Sequence, residues 1–179
     1  MRVYAWSQVD GEDQLLPSDA LVVSPPIVEL PPAGEQTIRV VRLGAPASGQ
    51  DQTYRIVVDE LPQAENDREN TVDIRLRYVI PIFVRAADSA PPALACSIQI
   101  DNRLSCVNSG GRAAQLGASR LVGDNGQSVN LTDGLFGYVL PGSRKVWSLP
   151  TPVNPAVSNL RMDTRVNGQP TTLPVARTP

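Results

Sequence analysis

The sequence contains no histidine. Its absence removes the usual general base near neutral pH, every Ser-His or Cys-His nucleophile pair, and the commonest zinc ligand. Lysine-based and paired-carboxylate mechanisms survive in principle, but they need a cleft that no motif here announces. An excess of charge of one sign is lacking too: 16 Lys and Arg stand against 18 Asp and Glu, a formal net charge of -2. Binding a polyanion takes a basic surplus to displace counterions, so no nucleic acid is expected as a partner. No apolar run reaches the roughly 18 residues of a membrane-crossing helix, and no membrane insertion is expected. Nor does Met1 open a stretch of signal-peptide length. Finally, no segment carries a helical apolar period over three turns.

What is present reads as all-β. The 179 residues are 41% hydrophobic and 19% charged, a globular balance, and they exceed the roughly 100 residues of one immunoglobulin-type sandwich. Short apolar runs recur between Gly, Pro, Asn, Asp and Ser, and the seventeen prolines suit strand ends and turns better than helix interiors. In the first half the runs predict strands at Arg2 to Gln8, Leu21 to Ser24, Ile27 to Leu30, Thr37 to Leu43, Thr53 to Leu61 and Val72 to Arg85. In the second half they predict Leu94 to Ile100, Leu104 to Asn108, Ala113 to Val122, Tyr138 to Leu140, Ser143 to Leu149 and Asn159 to Val166. The stretch from Ala86 to Pro92 has no periodicity and ends in two prolines. It is read as a linker (87–92) between domains at 1–86 and 93–179. Polar, proline-containing Thr171 to Pro179 is expected to fray.

Cys96 and Cys106 are the only cysteines, and the turn-forming pair Asp101-Asn102 lies midway between them. A hairpin centred there sets the two sulfurs opposite each other. A disulfide then fits an oxidising compartment; the alternative is two small buried hydrophobes in a reduced protein. Asp10-Gly11-Glu12-Asp13 has acidic-loop composition but no further ligands downstream, and reads as a hairpin turn and not a calcium site. Asn108-Ser109-Gly110-Gly111 resembles a phosphate cradle, yet no Lys-Ser/Thr and helix follow it. Asn130-Leu131-Thr132 is a sequon whose spacing arises often by chance. No metal or cofactor is expected.

The segment from Val72 to Arg85 stands apart. Val72, Ile74, Leu76, Tyr78, Ile80, Ile82 and Val84 alternate with Asp73, Arg75, Arg77, Val79, Pro81, Phe83 and Arg85. A strand of about thirteen residues spans over 40 Å at roughly 3.3 Å per residue, more than a small sandwich needs to cover its core. Such an apolar row is either the buried face of a central strand or, at a sheet edge, a surface that adds a strand.

Five segments in order, Val3-Tyr4-Ala5-Trp6-Ser7-Gln8, Leu21-Val22-Val23-Ser24-Pro25-Pro26, Gln36 to Arg42, Tyr54 to Pro62, and Leu76 to Val84, resemble the PapD-type pilus chaperones. The likeness is strongest to the archaic chaperone-usher, spore-coat-U-associated branch, and Gly137-Tyr138-Val139-Leu140-Pro141-Gly142-Ser143 continues it in the second half. The resemblance implies two immunoglobulin-like sandwiches and a periplasmic, non-enzymatic role. Its partners are pilus subunits, held by donor-strand complementation, and an outer-membrane usher. It implies Val72, Ile74, Leu76 and Tyr78 as donated residues. It also implies basic anchors for a subunit carboxylate. Against that pattern the family's first strand is missing, so the chain reads as N-terminally incomplete, and Pro81 stands where the family carries lysine. Arg39, Arg77 and Arg75 remain as anchor candidates. An interdomain ionic cluster is expected from Glu60, Arg85 and Asp163. Two other readings are an adhesive or scaffolding sandwich pair, and a carboxylate hydrolase that raised carboxylate pKa values in one cleft would mark.

Overall fold

A computed structural model describes residues 1–44, 48–62, 74–124, 126–154 and 159–178, and among them there are strands and turns but no helix. The chain divides into two compact units. The first takes Met1–Trp6, Leu15–Pro46 and Thr53–Phe83; the second takes Ser7–Gln14, Ala47–Gln52 and Val84–Pro179.

Six strands precede the inter-unit stretch: β1 (Arg2–Val9), β2 (Glu12–Pro17), β3 (Leu21–Ser24), β4 (Arg39–Arg42), β5 (Gln52–Asp59) and β6 (Arg77–Val84). β1 and β2 are joined by Asp10 and Gly11, both with positive φ (52° and 87°). This is the conformation of a two-residue hairpin turn that follows the right-handed twist of its strands. A Cβ on Gly11 would lie 2.5 Å from Val146, so space as well as φ demands glycine there. One sheet runs β2-β1-β5-β6, which leaves β6 at an edge. β3 and β4 form a separate two-stranded sheet, Leu21 opposite Arg42 and Ser24 opposite Arg39. Trp6, Leu21, Val23, Tyr54, Ile56 and Val57 supply the buried apolar side chains of this first unit.

The second unit holds β7 (Leu94–Ile98), β8 (Arg103–Asn108), β9 (Ala114–Leu116), β10 (Ser119–Val122), β11 (Ser128–Thr132), β12 (Gly137–Val139), β13 (Ser143–Ser148), β14 (Arg161–Val166) and β15 (Gln169–Arg177). They form one path, β11-β10-β14-β15-β7-β8-β13, with β9 pairing β12 and β14. β15 pairs antiparallel with β14 over its first six residues and parallel with β7 at Val175–Arg177, so it passes from one side of the sandwich to the other. Between the layers lie Ile98, Leu104, Leu116, Leu121, Val139, Leu160 and Met162, with Phe136 stacked on Trp147 at 4.7 Å. Cys96 and Cys106 face each other in the β7–β8 register and are joined as a disulfide within this core. Among the buried polar residues of this unit, Asn108 is fully buried. Its amide donates to the carbonyls of Arg112 and Val139 and its oxygen accepts from the N–H groups of Ala93 and Gly110. All four amide positions are thus satisfied, which is what a buried polar group requires.

Several expected elements take another form. Ile27 to Leu30 is not a strand: prolines 25, 26, 31 and 32 flank it without N–H groups for a ladder, and Pro31 instead closes a turn to the Gly34 N–H. Thr37 to Leu43 shortens to Arg39–Arg42. The expected strand from Ala113 to Val122 is two, broken where Gly117 donates to Arg165 and its carbonyl accepts from the Ser119 hydroxyl. The segment from Thr171 does not fray, because nearly all of it is β15, paired on both sides. β2 and β11 are strands that the sequence pattern did not indicate. Residues 85–93 carry no strand. Within the second unit Ala86 donates its N–H to Asp51, and Asp88 accepts from the Ser48 hydroxyl and the Gly49 N–H. Those donors hold the Asp88 carboxyl below the usual carboxylate range, the Gly49 N–H contributing most.

Candidate functional site

The feature that folding leaves unexplained is β6. Among the described residues its strand is Arg77–Val84, eight residues and not thirteen; Val72 and Asp73 lie outside the described residues. Ile74 and Leu76, just ahead of the strand, are 75% and 51% exposed, and Tyr78, Val79 and Ile80 on it are 57%, 41% and 45% exposed; β6 is an edge strand with no strand beyond it among the described residues. Isolated exposed apolar residues are ordinary; a run of them beside unpaired backbone groups marks a surface made to be covered. Toward its C-terminal end the strand is better covered, with Phe83 packed on the Trp6 ring at a centroid distance of 6.0 Å. The Arg55 guanidinium lies 3.8 Å from the centroid of that same Trp6 ring.

The inner side of β6 is tied down. The Glu60 N–H donates to the Leu76 carbonyl at 3.0 Å, and the Leu76 N–H donates to the Glu60 carboxylate at 3.0 Å. Next to this pair, Arg77 on β6 and Arg2 on β1 both reach Asp59 at the end of β5, at 2.5 and 2.6 Å. The two guanidinium groups, Arg77 foremost, hold the Asp59 carboxyl below its ordinary range, and the Asp59 partner raises the Arg2 guanidinium. Three strands are thereby pinned beside the exposed stretch. Neither Arg2 nor Asp59 was picked out by the sequence pattern. The available signal was weak, since both sit at ordinary strand-end positions and their meeting depends on the β1–β5 register, in which Arg2 faces Val57.

Of the other candidates, Arg39 is exposed on β4, in the two-stranded sheet and not in the sheet that holds β6, and Arg75 precedes β6. Glu60 is engaged by Leu76 as described, and Arg85 is exposed just past β6. Asp163, on β14, accepts from the Thr172 hydroxyl at 2.9 Å and lies 3.4 Å from Arg120 and 3.8 Å from Arg161, all within the second unit.

Two loops that invite other readings are occupied by the fold's own groups. Lys145 lies 3.0 Å from Glu12 and 3.8 Å from Asp13, so a cation already neutralises the acidic turn. In the Asn108 to Gly111 loop the N–H groups of Gly110 and Gly111 donate to Asn108 and Ala90. Among the described residues no three His, Cys, Asp or Glu are grouped to hold a metal ion. Among the described residues the two carboxyl groups with resolved shifts, Asp59 and Asp88, both move down, opposite to the direction a general acid needs.

No curated protein matches the chain significantly in sequence. Solved structures do match in shape. A chain of the CsuC–CsuE chaperone and tip adhesion subunit pre-assembly complex, from archaic chaperone-usher Csu pili of Acinetobacter baumannii, aligns at a TM-score of 0.74 and 22% identity. That alignment covers 99% of this chain and 84% of the other. The Pseudomonas aeruginosa CupB2 chaperone aligns at 0.60 and 18% identity, covering 99% and 86%. The E. coli chaperone DraB aligns at 0.55 and 19%, covering 89% and 76%. These likenesses establish the fold as two immunoglobulin-like β-sandwich domains. Residues 1–89, which include the open edge of β6, match the family described as pili and flagellar-assembly chaperone, PapD N-terminal domain. Residues 1–89 thus carry the N-terminal domain of that chaperone family.

Proposed function

We propose that this protein is a periplasmic chaperone that binds pilus subunits through the edge of β6, completes their sandwich with its own strand, and hands them to an outer-membrane usher. The observation that carries the reading is the exposed apolar side chains of Ile74, Leu76, Tyr78, Val79 and Ile80 along and just ahead of β6, a strand at a sheet edge among the described residues, in the part of the chain that matches the PapD N-terminal family. A partner lacking a strand gains both a backbone ladder and a row of apolar side chains from such an edge. The disulfide in the second unit suits the oxidising periplasm. With this reading go Val72, Ile74, Leu76 and Tyr78 as donated side chains. Arg77, Arg39 and Arg75 are taken as sources of a charged contact to the subunit, and Glu60, Arg85 and Asp163 as ionic residues that orient the domains. The domains are taken at 1–86 and 93–179.

The test is co-expression, directed to the periplasm, with the pilus subunit encoded beside it, quantifying soluble one-to-one complex. Each large apolar side chain buried is worth roughly 1.5–3 kcal/mol, so Ile74→Asp with Leu76→Asp is expected to reduce the complex by at least about a hundredfold while leaving the free chaperone folded. If no complex forms with the unaltered chain, the adhesive or scaffolding reading takes its place.

A further inference from the structure

Pro81 lies on β6, the edge strand of the first sheet on which Tyr78, Val79 and Ile80 are exposed. In an antiparallel ladder, residues alternate between those whose N–H and C=O face the neighbouring strand and those whose groups face away. Leu76 faces β5, since its carbonyl and N–H both meet Glu60. Arg77, one residue on, meets Asp59 by its side chain, as opposed residues do when their backbone groups point outward. With a period of two, Arg77, Val79, Pro81 and Phe83 turn their backbone groups to the open edge. The side chains agree. Arg2 and Trp6, four residues apart on β1, lie on one face of the sheet; Arg2 shares Asp59 with Arg77, and Trp6 packs on Phe83. Arg77 and Phe83 therefore share a face, and the alternation holds across residue 81.

Proline fits there because its missing hydrogen points away from β5, the placement that sheets tolerate at an edge. The same placement leaves a gap in what the edge offers: Arg77 and Val79 present both donor and acceptor, and Pro81 presents an acceptor alone. Exposure changes at the same point, since Tyr78, Val79 and Ile80 are exposed and residues 81–84 are half-buried.

We infer that Pro81 is the register stop of the subunit-binding edge: an extended, alternately apolar strand of the pilus subunit forms its ladder with the outward groups of Arg77 and Val79 and ends at Pro81. This inference rests on the chaperone reading above and adds to it where on the edge the partner strand is bound. A neighbour slipped two residues toward the C-terminus sets a backbone carbonyl against a nitrogen without hydrogen and its side chains against covered strand, so the slipped register is excluded. Pro81 thereby acts as a specificity-determining residue.

The experiment is residue-resolved amide hydrogen exchange on the chaperone, free and in complex with the pilus subunit encoded beside it, for the unaltered chain and for Pro81→Val. Expected in the unaltered complex are amides of Arg77 and Val79 slowed at least about tenfold and a Phe83 amide unchanged, because only ladder amides gain a partner. In Pro81→Val the amide newly created at that position is expected to become protected on binding. A Phe83 amide protected in the unaltered complex, or a new amide in Pro81→Val that stays unprotected, overturns the register stop while leaving the chaperone reading intact. In a parallel arm, Val79→Pro, which removes an N–H assigned here to the outer side of β6, is expected to weaken binding about tenfold or more, and Val79→Ala much less. Equal effects of the two overturn the assigned ladder, and failure of the unaltered chain to form any complex overturns the chaperone reading itself.

Discussion

β6 in the first unit and β8 in the second are built from similar material. Each is a short antiparallel strand with large apolar residues, yet β6 leaves Tyr78, Val79 and Ile80 exposed while β8 buries Leu104 and Cys106 completely. The difference lies in their neighbours. β8 sits between β7 and β13 and faces a second layer of strands; β6 has β5 on one side and no described strand on the other. Burial in a sheet is therefore a property of position in the strand order and not of the strand's composition. Among the described residues the first unit leaves the edge of β6 open, and the second completes its own core around a disulfide.

The contrast is tested most strongly by matched truncations. Leu116→Ala, at a fully buried site of the second unit, is expected to cost about 2–5 kcal/mol, read as a shift of the urea midpoint. Leu76→Ala on the exposed edge is expected to cost less than about 0.5 kcal/mol in the free protein. Equal losses at the two sites are the result that erases the distinction. A smaller effect is expected from Cys96→Ala with Cys106→Ala: removing this short cross-link should lower stability by about 2–3 kcal/mol, with thermal unfolding as the measurement. Subunit binding at equal folded concentration should stay unchanged, and a binding loss would tie the second unit's core to the edge.

The smallest effect concerns how β6 is held. The Asp59 carboxyl titrates below its ordinary value because Arg77, and then Arg2, favour its charged form. A carboxyl depressed in the folded state contributes stability that is fully present above the unfolded value, about pH 4, and is lost as pH falls through the lower folded value. The groups are exposed, so this contribution is minor. Followed by the carboxyl carbon shift in NMR titration, Arg77→Gln should raise the Asp59 midpoint more than Arg2→Gln does. The reverse order would mean that β1 and not β6 is the strand secured by the pair. High salt should shrink both differences.

Much of this was legible in the sequence, for reasons that differ by residue. The β7–β8 hairpin followed from Asp101-Asn102 between two apolar runs, and Asn102 indeed adopts a positive φ of 61°. The Asp10-Gly11 turn followed from residue types that tolerate positive φ. Local chemistry decides such features. β2 leaves no strand signal in the sequence because all its residues are exposed and it carries no alternation. β15 does not look like a strand in sequence because its polar composition and two prolines suggest an end, while its place between β14 and β7 comes from residues distant in the chain. Likewise the run from Tyr78 to Val84 announced a strand, but not which of its faces or edges would be left open.

Residues read in order were enough for the all-β class, the turns and the apolar strand that distinguishes this chain, because strand period, turn chemistry and proline restriction act over a few neighbouring residues. They also excluded histidine-dependent chemistry outright. Strand order and register were needed to learn that β6 is an edge, that Asp59 gathers Arg2 and Arg77, and that the hydrogen missing from Pro81 is missing from the outer side. Long-range pairing sets that order and register, and no short window of residues contains it.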